Sequence, residues 1–94
     1  MSERTAASLA KFDEFFPLLK NLTGNPGHDR LIDDADALRR AIASFHMEAI
    51  RFRMHNVDRG LREAGDHADA RAAFEALRHA LEEAGFHTRS QAAP

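Results

Sequence analysis

The chain has 94 residues, of which 44% are apolar, and a formal net charge of −2 at pH 7. This length and apolar content are typical of one small globular domain and exclude a disordered chain. The weakly acidic balance argues against a chain built mainly to bind nucleic acid or an anionic membrane. The absence of cysteine excludes disulfides, thiolate metal sites and cysteine nucleophiles.

Two further features of the composition suggest where the protein acts. No stretch approaches the roughly 18 uninterrupted apolar residues of a membrane span, and residues 1–10 lack the apolar run of a signal peptide. Arginine far outnumbers lysine and alanine is frequent, a bias that GC-rich genomes produce. We therefore expect a protein of the bacterial cytoplasm without membrane contact.

The first predicted helix covers residues 5–22. Its apolar stripe follows helical spacing through Leu9, Phe12, Phe16 and Leu19. Pro17 lies inside the stripe, and because proline lacks a backbone N–H we predict a kink or break there. The phenylalanines are explained by core packing, and any excess by contact with a second protein chain.

A turn-rich segment at 23–28 precedes the second predicted helix, which covers residues 29–64. Apolar residues follow two neighbouring lines along it, and no glycine or proline interrupts them before Gly60. The first line comprises Leu31, Ala35, Leu38, Ile42, Phe45, Ala49 and Phe52. The second comprises Met47, Ile50, Met54, Val57 and Leu61. The spacing predicts one long central helix.

A third helix is predicted over residues 67–84. Gly65 and Gly85 are suited to the left-handed residue that ends a helix, and Asp66 to the N-cap of the third helix. Residues 87–94 are small and polar, so we predict a disordered tail.

These elements predict a single all-α domain with three helices in the order short, long, short. Each short helix covers one line of the long helix and leaves its middle partly exposed. We therefore expect a helical bundle completed by a homodimer.

Polar residues interrupt the apolar face of the long helix. Arg39, His46 and Arg53 follow at intervals of seven residues, and Asn56 lies beside them. One interpretation is an anion site, in which the guanidinium groups hold a carboxylate or phosphate and His46 donates a hydrogen bond or proton. The favoured interpretation is structural, because buried charge requires partners. Acidic residues on the flanking helices are the candidates: Asp13, Asp69, Glu75 and Glu82.

A weaker metal hypothesis rests on acidic and histidine side chains spaced along helix faces. These are His55, Asp58, Glu75, His79 and Glu82. A diiron bundle needs Glu-x-x-His motifs, which the chain lacks, so ordinary solvated surface explains them better and we predict no cofactor. Six arginines between Leu38 and Arg62 form no known nucleic-acid motif and are interrupted by Glu48 and Asp58.

No nucleophile, phosphate loop or known family motif is visible in the sequence. We therefore predict a small non-catalytic interaction or regulatory protein that contacts another protein. The alternative is binding of a small anion, or catalysis on one, at Arg39, His46, Arg53 and Asn56.

Overall fold

The structure, a computed structural model, describes residues 3–86, with side chains from residue 5 onward. Within that range the chain forms four α-helices and no strand: α1 (Glu3–Lys20), α2 (His28–Ala43), α3 (Met47–Glu63) and α4 (Ala68–Glu83). The all-α prediction is confirmed for these residues. The three-helix prediction is wrong, because the long helix predicted over 29–64 is two helices.

The predicted long helix ends at a turn formed by Ser44, Phe45 and His46. The N–H of Phe45 donates to the carbonyl of Ile42 at 3.2 Å, and the N–H of His46 donates to the carbonyl of Ala41 at 3.1 Å. Phe45 adopts a left-handed backbone with φ of 59°. This is the hydrogen-bond pattern of a helix that ends in a left-handed residue, a position that glycine usually occupies.

The free energy of burial explains why the chain accepts this turn. A left-handed non-glycine residue costs about 1–2 kcal/mol. Burying one large aliphatic side chain yields about 1.5–3 kcal/mol, and Ile50, Met54 and Leu61 are all fully buried. In one straight helix the two apolar lines would lie along different parts of its length. The hairpin of α2 and α3 brings residues of both lines into one core.

The four helices share that core. Helix α1 packs against α4 and α2, and α3 packs against α2. At Gly60 the backbone of α3 lies so near α2 that a Cβ atom there would be 2.7 Å from Cδ1 of Leu31. The largest fully buried side chains come from every helix: Phe12, Phe15, Leu19, Leu38, Ile42, Ile50, Met54, Leu61, Phe74, Leu77 and Leu81.

Helix α1 continues without interruption to Lys20. Of the kink or break predicted at Pro17, the break is therefore wrong. Pro17 lies in the last turn, where its missing N–H removes only the bond to the carbonyl of Asp13. Core contacts on both sides of it hold the helix together: Phe15 and Leu19 are fully buried.

Helices α3 and α4 end just before the two glycines predicted to terminate them. Gly65 and Gly85 have φ of 103° and 97°, and the N–H of Phe86 closes the last turn on the carbonyl of Leu81 at 2.9 Å. Asp66 is not the N-cap of α4, since that position belongs to His67. The predicted disordered tail at 87–94 lies outside the described residues.

Over residues 3–86, no helix combines the length and the apolar character needed to cross a membrane.

Candidate functional site

The turn between α2 and α3 separates the polar residues that the sequence places on one helix. Arg39 belongs to α2, His46 to the turn, and Arg53 and Asn56 to α3. Arg39 and His46 have separate partners, whereas Arg53 and Asn56 share one. Arg39, His46 and Arg53 therefore do not form a row on a single helix face.

Arg39 is paired with Asp13 of α1. Its Nε donates to Oδ1 at 3.0 Å and its Nη2 donates to Oδ2 at 3.1 Å, in a two-point contact. The hydrogen bond from Arg39 holds the pKa of the Asp13 carboxyl below its ordinary value and, reciprocally, raises the pKa of Arg39. Asp13 is among the acids that the structural interpretation names.

Arg53 is paired with Asp34 of α2, an acid that is not among the candidate partners named from the sequence. Nη1 of Arg53 donates to Oδ1 of Asp34 at 2.8 Å, and Nδ2 of Asn56 approaches the same oxygen at 3.5 Å. Asp34 is only 8% exposed. Its position three residues after Leu31 and four before Leu38 places it on the buried face of α2, a signal that the spacing of the apolar residues carries.

His46 has a local structural role. It is the N-cap residue of α3, and its Nδ1 accepts a hydrogen bond from the backbone N–H of Ala49 at 3.2 Å. The imidazole ring therefore accepts from one of the backbone N–H groups that have no partner within the helix.

The densest cluster of charge lies between α3 and α4, around Arg71. The guanidinium donates to Asp58 at 2.6 Å, to Asp66 at 2.7 Å and to Glu75 at 3.1 Å. Arg62 also contacts Asp58, at 3.2 Å. We call Asp58, Asp66, Arg71, Glu75 and Arg78 the Arg71 network.

Arg78 completes this network from the core side. It is 8% exposed, and its Nε donates to Glu75 at 3.2 Å. The guanidinium groups of Arg71 and Arg78 lie 5.5 Å and 5.2 Å from the ring centre of Phe74. Both arginines therefore combine cation–π contact with ion pairing, and neither is anticipated by the sequence analysis.

The Arg71 network shifts the pKa values of Asp58 and Arg71. Burial works to raise the pKa of Asp58, but hydrogen bonding from Arg71 and the nearby charges of Arg71, Arg62 and Arg78 hold it below its ordinary value. Burial likewise works to lower the pKa of Arg71, and its three acidic partners raise it instead. Asp58 and Arg71 therefore keep their charges at neutral pH.

The metal candidates are divided among these contacts. Asp58 and Glu75 both contact Arg71, and His79 contacts Glu83 at 2.9 Å on exposed surface. His55 and Glu82 are exposed on different helices. Among the residues that the structure describes, no three histidine or acidic side chains are grouped to hold a metal ion.

A pocket of about 230 Å³ lies between the α1–α2 loop and the end of α3, lined by residues that include Pro26, Leu31, Gly60 and Glu63. Three shallower grooves occur elsewhere on residues 7–84. None of these four concavities is lined by Arg39, His46 or Arg53. They therefore do not offer a cleft on which the predicted anion ligands converge.

Among residues 5–86, two large apolar side chains are exposed, and both lie near the α2–α3 hairpin. Phe45 is 38% exposed and its ring centre lies 5.8 Å from that of Phe86. Phe52 is 57% exposed on the side of α3 that faces away from the core, with the guanidinium carbon of Arg53 5.1 Å from its ring centre. The apolar spacing predicts Phe52 on a covered line of one long helix, and that prediction is wrong.

We call Glu48, Phe52, His55 and Arg59 the α3 stripe. All four are exposed and lie at successive steps of four, three and four residues, so they form one row along the outer face of α3.

Comparison of the chain with family profiles, curated proteins and solved structures finds no match to any of them.

Proposed function

We propose that this protein is a small non-catalytic interaction module that binds another protein chain through the outer face of α3. The observation that carries the proposal is the exposure of Phe52, at 57%, in the middle of that face. A phenylalanine opposite the core leaves more than half of its surface uncovered within the chain. Its apolar area is available to a partner.

The surroundings of Phe52 support a protein partner. Arg53 holds its guanidinium near the ring while its charge is paired with Asp34. Charged groups of both signs, Glu48 and Arg59, lie at the two ends of the same row. An aromatic centre with a mixed polar rim is the usual composition of a protein–protein contact.

Binding of a small anion is the alternative function, and the geometry favours it less. Arg39 makes a two-point contact with Asp13, and Arg53 contacts the buried carboxylate of Asp34. A carboxylate or phosphate ligand would have to displace these acids. Neither arginine lines one of the four concavities described above.

The proposal keeps a bacterial cytoplasm as the setting. Its support is compositional: a chain without cysteine suits a reducing compartment, and the excess of arginine and alanine suits a GC-rich genome.

Site-specific photocrosslinking tests the proposed function. A photoreactive phenylalanine analogue replaces Phe52 in one sample and Ala72, an exposed residue of α4, in the control. We expect a discrete protein adduct from position 52 alone. Excess unlabelled wild-type chain should compete for that adduct, whereas the variant Phe52→Ser should not.

Equal labelling from both positions, or no adduct from position 52, would contradict the proposal. Calorimetric titration with citrate and phosphate tests the alternative. Binding that is lost in Arg53→Met, with the fold intact, would support the anion site instead.

A further inference from the structure

The α3 stripe has a spacing and a charge order that match a second copy of itself. Steps of four, three and four residues separate Glu48, Phe52, His55 and Arg59. This is the spacing of the seam along which two helices pack side by side in a coiled coil. The stripe lies opposite the buried face of α3, so a partner can approach it without disturbing the core.

Only one orientation makes the stripe complementary to itself. If two copies of α3 lie antiparallel and cross between Arg53 and Met54, Glu48 faces the Arg59 position of the other copy. In the same alignment, Phe52 faces the His55 position. Two-fold symmetry repeats both contacts. A parallel pair would place Glu48 against Glu48 and Arg59 against Arg59, and both contacts would repel.

We propose that the partner of the outer face of α3 is a second copy of this chain, bound as an antiparallel pair of α3 helices. This inference rests on the proposed function and names its partner. Phe52 and His55 supply the stacked centre of the contact, and Glu48 and Arg59 set its direction.

The existing contacts of the stripe leave its charges available. Within residues 5–86, Glu48 and His55 form no ion pair, and Arg59 has a 3.5 Å contact with the neutral side chain of Asn56. An intermolecular ion pair therefore breaks no ion pair inside the chain. Such exposed pairs contribute more to orientation than to affinity.

The size of the contact indicates a weak dimer. Helix α3 has 17 residues, which corresponds to a length of about 25 Å. A contact along one helix of that length buries less than about 1,200 Å² in total, the range of transient complexes. We expect a dissociation constant on the order of 10–100 µM.

Charge reversal tests the contact by sedimentation velocity over a concentration series that spans this range. Glu48→Arg and Arg59→Glu each place like charges opposite one another, and we expect each to weaken association by about tenfold. The double variant restores opposite charges and should associate within about twofold of the wild type. Asp69→Arg is the matched control, because Asp69 and Glu48 are both exposed acids in the first turn of a helix.

Each result bears on the proposal. Weakening by Asp69→Arg equal to that by Glu48→Arg would show a helix-dipole effect and overturn it. Failure of the double variant to recover would overturn it as well. Circular dichroism confirms that each variant is folded.

Cysteine crosslinking tests the orientation, since the native chain has no cysteine. In the antiparallel pair, positions 48 and 48 of the two copies lie about 16 Å apart along the axis. A mixture of Glu48→Cys and Arg59→Cys should therefore form a mixed disulfide dimer, whereas each variant alone should not. A disulfide dimer from Glu48→Cys alone would show a parallel pair and overturn the proposal.

The outcomes also separate this inference from the proposed function. A chain that remains monomeric at several times the expected dissociation constant, but still forms a competed adduct with a different protein at position 52, overturns the self-pairing alone. A monomeric chain without any adduct overturns both.

Discussion

Arg53 of α3 donates a 2.8 Å hydrogen bond to Asp34 of α2, which joins the two halves of the helix that the sequence predicts as one. Asp34 is 8% exposed and Arg53 keeps about a third of its side chain in solvent. The pair therefore stabilises the hairpin that replaces the long helix.

A double-mutant cycle on this pair measures its contribution. Arg53→Met leaves the Asp34 carboxylate with the 3.5 Å contact to Asn56, so we expect a loss of about 1–3 kcal/mol in the free energy of unfolding. The double variant with Asp34→Asn should recover part of that loss. The exposed pair of Arg40 and Asp36 is the control and should show a coupling below about 1 kcal/mol. Additive losses at Asp34 and Arg53 would contradict an energetic role of their contact.

Acid titration of Asp58→Asn tests the Arg71 network. The folded-state pKa of Asp58 is below its ordinary value, so its charge stabilises the fold above the unfolded pKa of about 4 and this stability is lost as the pH falls. At pH 7 we expect Asp58→Asn to lower the free energy of unfolding by about 1.5–3 kcal/mol.

The difference between wild type and Asp58→Asn should shrink as the pH falls through the folded-state value. Denaturant titrations from neutral to acidic pH measure it. The control Asp33→Asn changes an exposed carboxylate that forms no ion pair within residues 5–86, and should have little effect at pH 7. A difference that stays constant into the acid range would contradict the network's role.

Two substitutions at Phe45 isolate the strain of the turn. Phe45→Gly and Phe45→Ala both lose the ring contact with Phe86, but only glycine adopts a φ of 59° without steric cost. We expect the glycine variant to be more stable than the alanine variant by about 1 kcal/mol in thermal or urea unfolding. At Ser44, where φ is −93°, the order should reverse. The same order at both positions would argue against a left-handed turn at Phe45.

Ser8 offers a stabilising substitution. Its side chain is fully buried on α1, and its Oγ has no hydrogen-bond partner among the described residues. Ser8→Ala removes an unsatisfied polar atom, so we expect the free energy of unfolding to rise by about 1 kcal/mol. Ser44→Ala serves as the control, because Oγ of Ser44 donates a hydrogen bond to the carbonyl of Arg40 at 2.7 Å. Loss of that bond should slightly lower the free energy of unfolding. A destabilised Ser8→Ala would show that the hydroxyl is satisfied.

The helical class and most of the core can be predicted from the order of the residues alone. Apolar spacing identified Leu38, Ile42, Ile50, Met54 and Leu61, all of which are fully buried. Gly65 and Gly85 marked two helix ends, because a left-handed terminal residue is read directly from residue type. Apolar spacing and the backbone preference of glycine are local properties, so both can be read from the sequence.

The position at which the chain reverses between α2 and α3 depends on how the helices pack. No glycine, proline or asparagine marks the turn at Ser44, Phe45 and His46. The gain from burying both apolar lines in one core outweighs the local cost of the left-handed residue. The same reversal decided the partners of the charges: it joined Asp34 to Arg53 and left Phe52 facing outward. Such contacts between distant positions follow from the packing of helices, which periodicity along one helix does not specify.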